Sequence, residues 1–141
     1  MTDEYEIAVA VGAVGDQCAY TICVTRGEQH KVLGPWIVDE GGGMAADVWA
    51  ATYDGIARAA RLTLRADVPR CIVVVLLGAV QTLQRDAVGD GRPMVAAAAR
   101  ALKESGATLR WARRHESTAM TAAHEALAEA GQRAMREEIG L

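Results

Sequence analysis

Apolar and polar positions alternate closely in the first quarter of the chain and then change their spacing. Ile7-Ala8-Val9-Ala10-Val11, Ala19-Tyr20-Thr21-Ile22-Cys23-Val24-Thr25 and Lys31-Val32-Leu33-Gly34-Pro35-Trp36-Ile37-Val38 are short runs rich in β-branched and aromatic residues. Such runs predict strands. Gly12 to Gly15-Asp16 closes the first, and Arg26-Gly27-Glu28 closes the second. Three strands joined by short turns form an antiparallel meander. Pro35 cannot donate to a ladder, so the third run is expected to be irregular or at an edge.

After Gly41-Gly42-Gly43 the apolar interval lengthens. Val48, Trp49, Thr52, Tyr53, Ile56, Ala60 and Leu64 recur every three or four residues, predicting an amphipathic helix over residues 44–65. Asp67-Val68-Pro69 ends it. The unbroken run Cys71-Ile72-Val73-Val74-Val75-Leu76-Leu77 predicts a central strand covered on both faces. A short helix over residues 80–88 follows, then a loop at Gly89-Asp90-Gly91. An Ala-rich helix over 94–105 is opened by Pro93 and stopped by Gly106. Residues 108–112 read as a short strand. Residues 117–138 read as a long helix with Met120, Ala123, Leu127, Ala130 and Met135 inward. The order β-β-β-α-β-α-α-β-α predicts an α/β domain, with a mixed five-stranded sheet and helices on both faces. No repeat or linker interrupts it, so residues 1–141 are expected to form a single domain.

Composition narrows the function. Apolar residues make up 51% of the chain, too many for a disordered tail, while the absence of Phe leaves the core to aliphatic side chains. A net charge of −3 excludes a global basic field and leaves only a local phosphate site open. The start, Met1-Thr2-Asp3-Glu4-Tyr5-Glu6, lacks the basic and apolar regions of a signal peptide. The longest apolar run is too short to span a bilayer, so no membrane association and a cytoplasmic location are expected. Cys18, Cys23 and Cys71 form no CxxC, and the odd offset of the first two puts them on opposite faces of a strand. They read as reduced core thiols.

The element order, together with local motifs, resembles the ribonuclease H family from about residue 7 to 131. Val11-Gly12-Ala13, Gly15 and Ala19-Tyr20-Thr21-Ile22 resemble its Asp-Gly-Ser/Ala opening. Ala51, Gly55-Ile56 and Ala59 resemble its Glu-Leu-x-Ala-x-x-x-Gly-Leu helix, and Leu77-Gly78-Ala79-Val80 stands where it has Thr-Asp-Ser. Trp111-Ala112-Arg113-Arg114-His115, nine residues, then Glu125-Ala126-Leu127-Ala128 resembles its last strand, loop His and Asp-x-Leu-Ala helix.

Members of that family cut the RNA strand of a hybrid with two divalent cations held by four carboxylates. The resemblance assigns Val11 to the first-strand Asp that bridges both ions, and Gly78 to the central-strand Asp. Val48 falls at the helix Glu, with Asp47 one residue away. Glu125 alone keeps a carboxylate by direct match, and His115 is the loop His. Valine cannot bridge hard cations, which need oxygen ligands. A one-residue slip restores nothing, because residues 9–14 and 73–81 contain no acid. The resemblance therefore implies a catalytically inactive domain with no metal or other cofactor.

The remaining residues have both plain and functional readings. Asp47 can serve the first turn of its helix, Glu125 can be a surface residue, His115 a loop residue, and His124 a packing or surface residue. Arg110, Arg113 and Arg114 with His115 form a basic cluster where the last strand ends, suited to the phosphates of RNA, DNA or a hybrid. Arg58, Arg61 and Arg65 form a basic ridge, more simply a solvated face. Trp49 and Tyr53 are a core stripe or a stacking platform. Three functions follow: a binding module for nucleic acid or protein; a structural protein forming a homodimer; or a residual hydrolase with a rearranged site drawn from Asp16, Asp47, Glu116 and Glu125.

Overall fold

A computed structural model describes residues 4–62 and 69–140. Strands β1 (Tyr5–Val14), β2 (Gln17–Arg26) and β3 (Gln29–Val38) form the expected meander, with β1 and β2 paired from Glu6↔Thr25 to Val14↔Gln17. Both hairpins turn on two residues. Gly15 and Gly27 take φ of 65° and 62° at the first loop position, a conformation glycine reaches without steric cost. The first strand runs further than the turn signal suggested. Gly12 lies inside it, paired with Ala19, and is a glycine because a Cβ there would come within 2.9 Å of the Leu127 side chain.

Helix α1 (Met44–Leu62) crosses to β4 (Arg70–Val74), then α2 (Leu77–Leu83), α3 (Pro93–Ser105), β5 (Thr108–Trp111) and α4 (Thr118–Glu138) follow. The predicted continuation of α1 through Leu64 and Arg65, and its break at Asp67-Val68, lie outside the described residues. The short helix begins three residues earlier than expected, at Leu77, because the central strand ends at Val74 rather than running through Leu77. Gly106 closes α3 in the left-handed conformation, its N–H donating to the Leu102 carbonyl. Ser117 caps α4 by accepting from the Met120 N–H at 3.1 Å.

The sheet order is β3-β2-β1-β4-β5, with β1, β4 and β5 parallel and the meander antiparallel. Pro35 sits on the edge strand, where its missing N–H leaves no inner ladder broken. Alternation along the strands sorts the core into two layers. Ile7, Val9, Cys18, Tyr20, Ile22, Ile72 and Val74 face α1, α2 and α3. Ala8, Ala10, Ala19, Cys23, Cys71 and Val73 face Met120, Ala123 and Leu127 of α4. Cys18 and Cys23 thus lie in different layers, and all three thiols are free and buried. Met135 does not join the inward stripe; it is 63% exposed.

Two polar contacts tie the layers together. Thr21 donates to the Ala123 carbonyl at 2.6 Å, fixing α4 to the middle of β2. Tyr20 donates to Asp54 and accepts from Arg58 Nε at 2.7 Å, while the Arg58 guanidinium lies 4.4 Å from the Trp36 ring centroid. Burial, then the Asp54 contact, push the Tyr20 pKa up to about 12 against the pull of Arg58. Arg58 is therefore a structural cation, and the basic ridge expected with Arg61 and Arg65 does not present it to phosphate. Among the described residues, no helix is long and apolar enough to cross a membrane.

Candidate nucleic-acid interface

The parallel pair β1 and β4 carries α1 on one face and α4 on the other, leaving a crevice of about 120 Å³. Strand β1 contributes Val9 and Val11, and α1 contributes Val48 and Thr52. Val74, Val75 and Leu76 close it from β4 and the turn beyond, and His124 closes it from α4. Two polar side chains are present. Thr52 donates its hydroxyl to the Val48 carbonyl at 2.8 Å, a bond within its own helix. His124 is half-buried, and its Nε2 has no partner among the described residues.

Burial first, then the electrostatic influence of neighbouring Arg114 and His115, lowers the His124 pKa to about 4. The imidazole is neutral near pH 7, so the crevice carries no charge of its own. A pair of divalent cations does not fit this lining, because hard cations take oxygen ligands and the crevice presents no carboxylate. Among the described residues, no three His, Cys, Asp or Glu come together as a metal-binding group.

The residues singled out from the sequence separate here. Val11 and Val48 stand in the crevice wall. Gly78 does not: it is the second residue of α2, where a Cβ would fall 2.6 Å from the Trp49 ring. Val75 and Leu76 supply that side of the wall instead, because α2 starts sooner than the motif alignment implied. Asp47 is buried away from the crevice and accepts the Glu40 N–H at 2.9 Å, holding the loop before α1. Glu125 is exposed and also outside the crevice. The helical period explains the exchange, since Met120, Ala123 and Leu127 define the buried stripe, His124 flanks it and Glu125 points nearly opposite. That period, read strictly, was the signal that could have selected His124 over its neighbour.

The acids named for a rearranged site do not converge. Asp16 is exposed in the β1–β2 turn. Glu116 accepts the Arg113 N–H at 3.0 Å and lies 3.7 Å from its guanidinium. The basic cluster also divides. Arg110 reaches back to Glu6 at 3.5 Å, and Arg113 is matched by Glu116. Arg114 and His115 are exposed, and Arg114 makes no ion pair among the described residues. Both act electrostatically on His124, so the Arg114 charge is within electrostatic range of the crevice, although neither residue lines it.

The architecture is that of a ribonuclease H-like fold. The chain is similar to the N-terminal RNase H domain of a Mycobacterium tuberculosis protein, at 18% identity and TM-score 0.57, covering 94% of this chain and 99% of that one. It is similar to RNase H1 from the halophilic archaeon Halobacterium salinarum, at 13% identity and TM-score 0.57, covering 89% and 98%. A third match is LC11-RNase H1, isolated from compost by a metagenomic approach and solved in complex with an RNA/DNA hybrid. There the identity is 16% and the TM-score 0.58, covering 93% and 99%. No family model and no curated protein matches the chain.

Proposed function

We propose that this chain is a ribonuclease H-like domain that binds nucleic acid by its phosphate backbone and does not hydrolyse it. The observation that carries this reading is the aliphatic wall of Val11, Val48, Val75 and Leu76 in the crevice beside the parallel strands. Two-metal hydrolysis needs anionic oxygens at such a place to align the attacking water and the leaving oxygen. Binding needs less. Arg114 supplies an exposed positive charge with no ion pair among the described residues, with His115 beside it as a further donor, and a chain of −3 net charge then takes nucleic acid at that edge rather than over its whole surface. The similarity to a protein solved on an RNA/DNA hybrid supports the same class of ligand.

Fluorescence anisotropy with a labelled RNA/DNA hybrid, duplex RNA and single strands tests the proposal. Binding is expected at low salt and should fade as salt rises, with a log–log slope near −2 for about two phosphate contacts. The hybrid should remain intact with Mg²⁺ or Mn²⁺. Absence of binding at low salt sinks the nucleic-acid half. Metal-dependent cleavage that Glu125→Gln abolishes sinks the other half and restores the hydrolase reading. A non-binding chain that light scattering shows to be a dimer would instead support assembly through the apolar surface of Val75, Leu77 and Trp111, which are exposed.

A further inference from the structure

Trp111 is the last residue of β5, at one edge of the sheet, and is 37% exposed. Leu109, two residues before it, packs against the main core layer, whereas Trp111 belongs to neither layer. The ring is nevertheless fixed. Its indole N–H donates to the Val75 carbonyl at 2.7 Å, and the next residue, Ala112, donates its N–H to the Val74 carbonyl at 3.0 Å. Val74 and Val75 both line the crevice, so these two bonds hold the indole beside it.

What the ring offers a partner follows from that anchorage. Its one polar atom is already satisfied, so only the π system and its carbon edges remain. Val75 and Leu77 extend the apolar surface, at 40% and 45% exposed, and α2, which Leu77 opens, packs beside β5. A ring held in this way has lost its rotamer freedom before any ligand arrives, which lowers the cost of stacking on it.

The neighbouring charge decides the occupant. In the loop after β5, Arg113 is matched by Glu116, while Arg114 is exposed and makes no ion pair among the described residues. Arg114 stands three residues after Trp111, at most about 10 Å along an extended chain. Its charge acts on His124, which lines the crevice together with Val75. An apolar protein surface would cover the ring and leave that charge without an acceptor. A nucleotide strand satisfies both, with a base for the ring and a phosphate for the guanidinium. Bases inside a duplex or hybrid are held in their own stack, whereas those of a single strand can turn out to an aromatic ring.

We infer that Trp111 is a stacking platform for an unpaired base of a strand whose phosphate contacts Arg114, which makes single strands the preferred ligand. This rests on the proposed nucleic-acid function and names the part of the nucleotide recognised besides phosphate. Fluorescence anisotropy at low salt, with a labelled oligothymidylate and an abasic strand of equal length, separates base from phosphate. The thymidylate should bind about tenfold more tightly, within the range of one stacked base. Trp111→Leu, which keeps apolar bulk without a π face, should bring the thymidylate down to the level of the abasic strand. Trp111→Phe should keep part of the preference, and Arg114→Ala should weaken both strands alike. In Trp49→Phe, which leaves Trp111 as the exposed indole, thymidylate should quench tryptophan fluorescence and the abasic strand should not. That readout needs no change at the ring itself. Equal affinity for the two strands, or a preference that survives Trp111→Leu, overturns the platform and leaves phosphate binding standing. No binding of either strand overturns both. Equal affinity, with a light-scattering dimer that Trp111→Leu dissociates, would give the ring to a second copy of the chain.

Discussion

The wall of the crevice and its basic edge differ in what the fold asks of them. Val9 and Val74 belong to the main core layer, and Val11, Val48 and Leu76 pack against it. The wall is thus an extension of the core to the crevice. Arg114 and His115, on the loop between β5 and α4, are exposed and carry none of that packing. On the proposed function, the contrast teaches that stability and recognition are assigned to separate groups of residues. Chemistry at the wall would have to be purchased with core stability, whereas binding at the edge asks almost nothing of the fold. Substitutions on the two sides should therefore behave in opposite ways.

The largest effect on folding should come from Val11→Asp. It places an unpaired carboxylate among Val9, Val48 and Val74, and a loss of about 2–4 kcal/mol in urea unfolding is expected. Mg²⁺ or Mn²⁺ should recover none of that loss, because no second carboxylate lines the crevice. Metal-dependent recovery of the unfolding midpoint would erase the distinction between wall and active cleft.

His124 lies where the two sides meet, and its pH dependence is next in size. An unfolded histidine titrates near 6.5, whereas this one is held down at about 4. Below pH 6.5 the unfolded chain takes up a proton that the folded chain refuses. Stability is therefore full above that value and declines as pH falls toward 4. A loss on the order of 1 kcal/mol is expected between pH 7 and 5, discounted for partial exposure. His124→Leu should flatten this portion of the curve; an unchanged slope would mean that the imidazole is not shielded by the crevice.

Ser117→Ala should cost about 1 kcal/mol by removing the α4 cap. Ser117 also donates to Glu6, so the substitution loosens the start of the helix that carries His124. Nucleic-acid affinity should change little, since neither Arg114 nor His115 is touched. A large fall in affinity at constant stability would show that the edge depends on this anchor.

Much of the fold was legible because local chemistry and tertiary need agreed. Pro93 and Gly106 bracket α3 as expected, and the first four residues of the apolar run from Cys71 lie in the buried central strand, which ends at Val74 and leaves Val75 and Leu77 exposed. Where they disagreed, the deciding partner was distant in sequence. Gly12 resembled a turn residue but is strand; it is glycine there because Leu127 of α4 occupies the space above it. Gly78 resembled a strand-end position but sits on α2 beneath Trp49. The site was legible only in part. Motif spacing picked out Val11 and Val48, and both line the crevice, each on a long regular element. Arg110, Arg113, Arg114 and His115 read as one cluster, but Glu6 lies more than a hundred residues upstream of the arginine it neutralises, a pairing no local pattern contains.

Arg114→Ala should have the smallest effect on folding, within about 0.5 kcal/mol, because the side chain is exposed and makes no ion pair among the described residues. Its effect on binding should be the clearest. Loss of one phosphate contact should reduce the salt slope by about 1 and weaken all sequences alike. Arg110→Ala is the matched comparison, since Glu6 already balances that charge and its removal should leave the slope nearer the wild-type value. Both variants also raise the net negative charge by one, so a nonspecific charge effect would weaken them equally. Unequal slopes would place recognition at the crevice edge; equal slopes would return it to the surface as a whole.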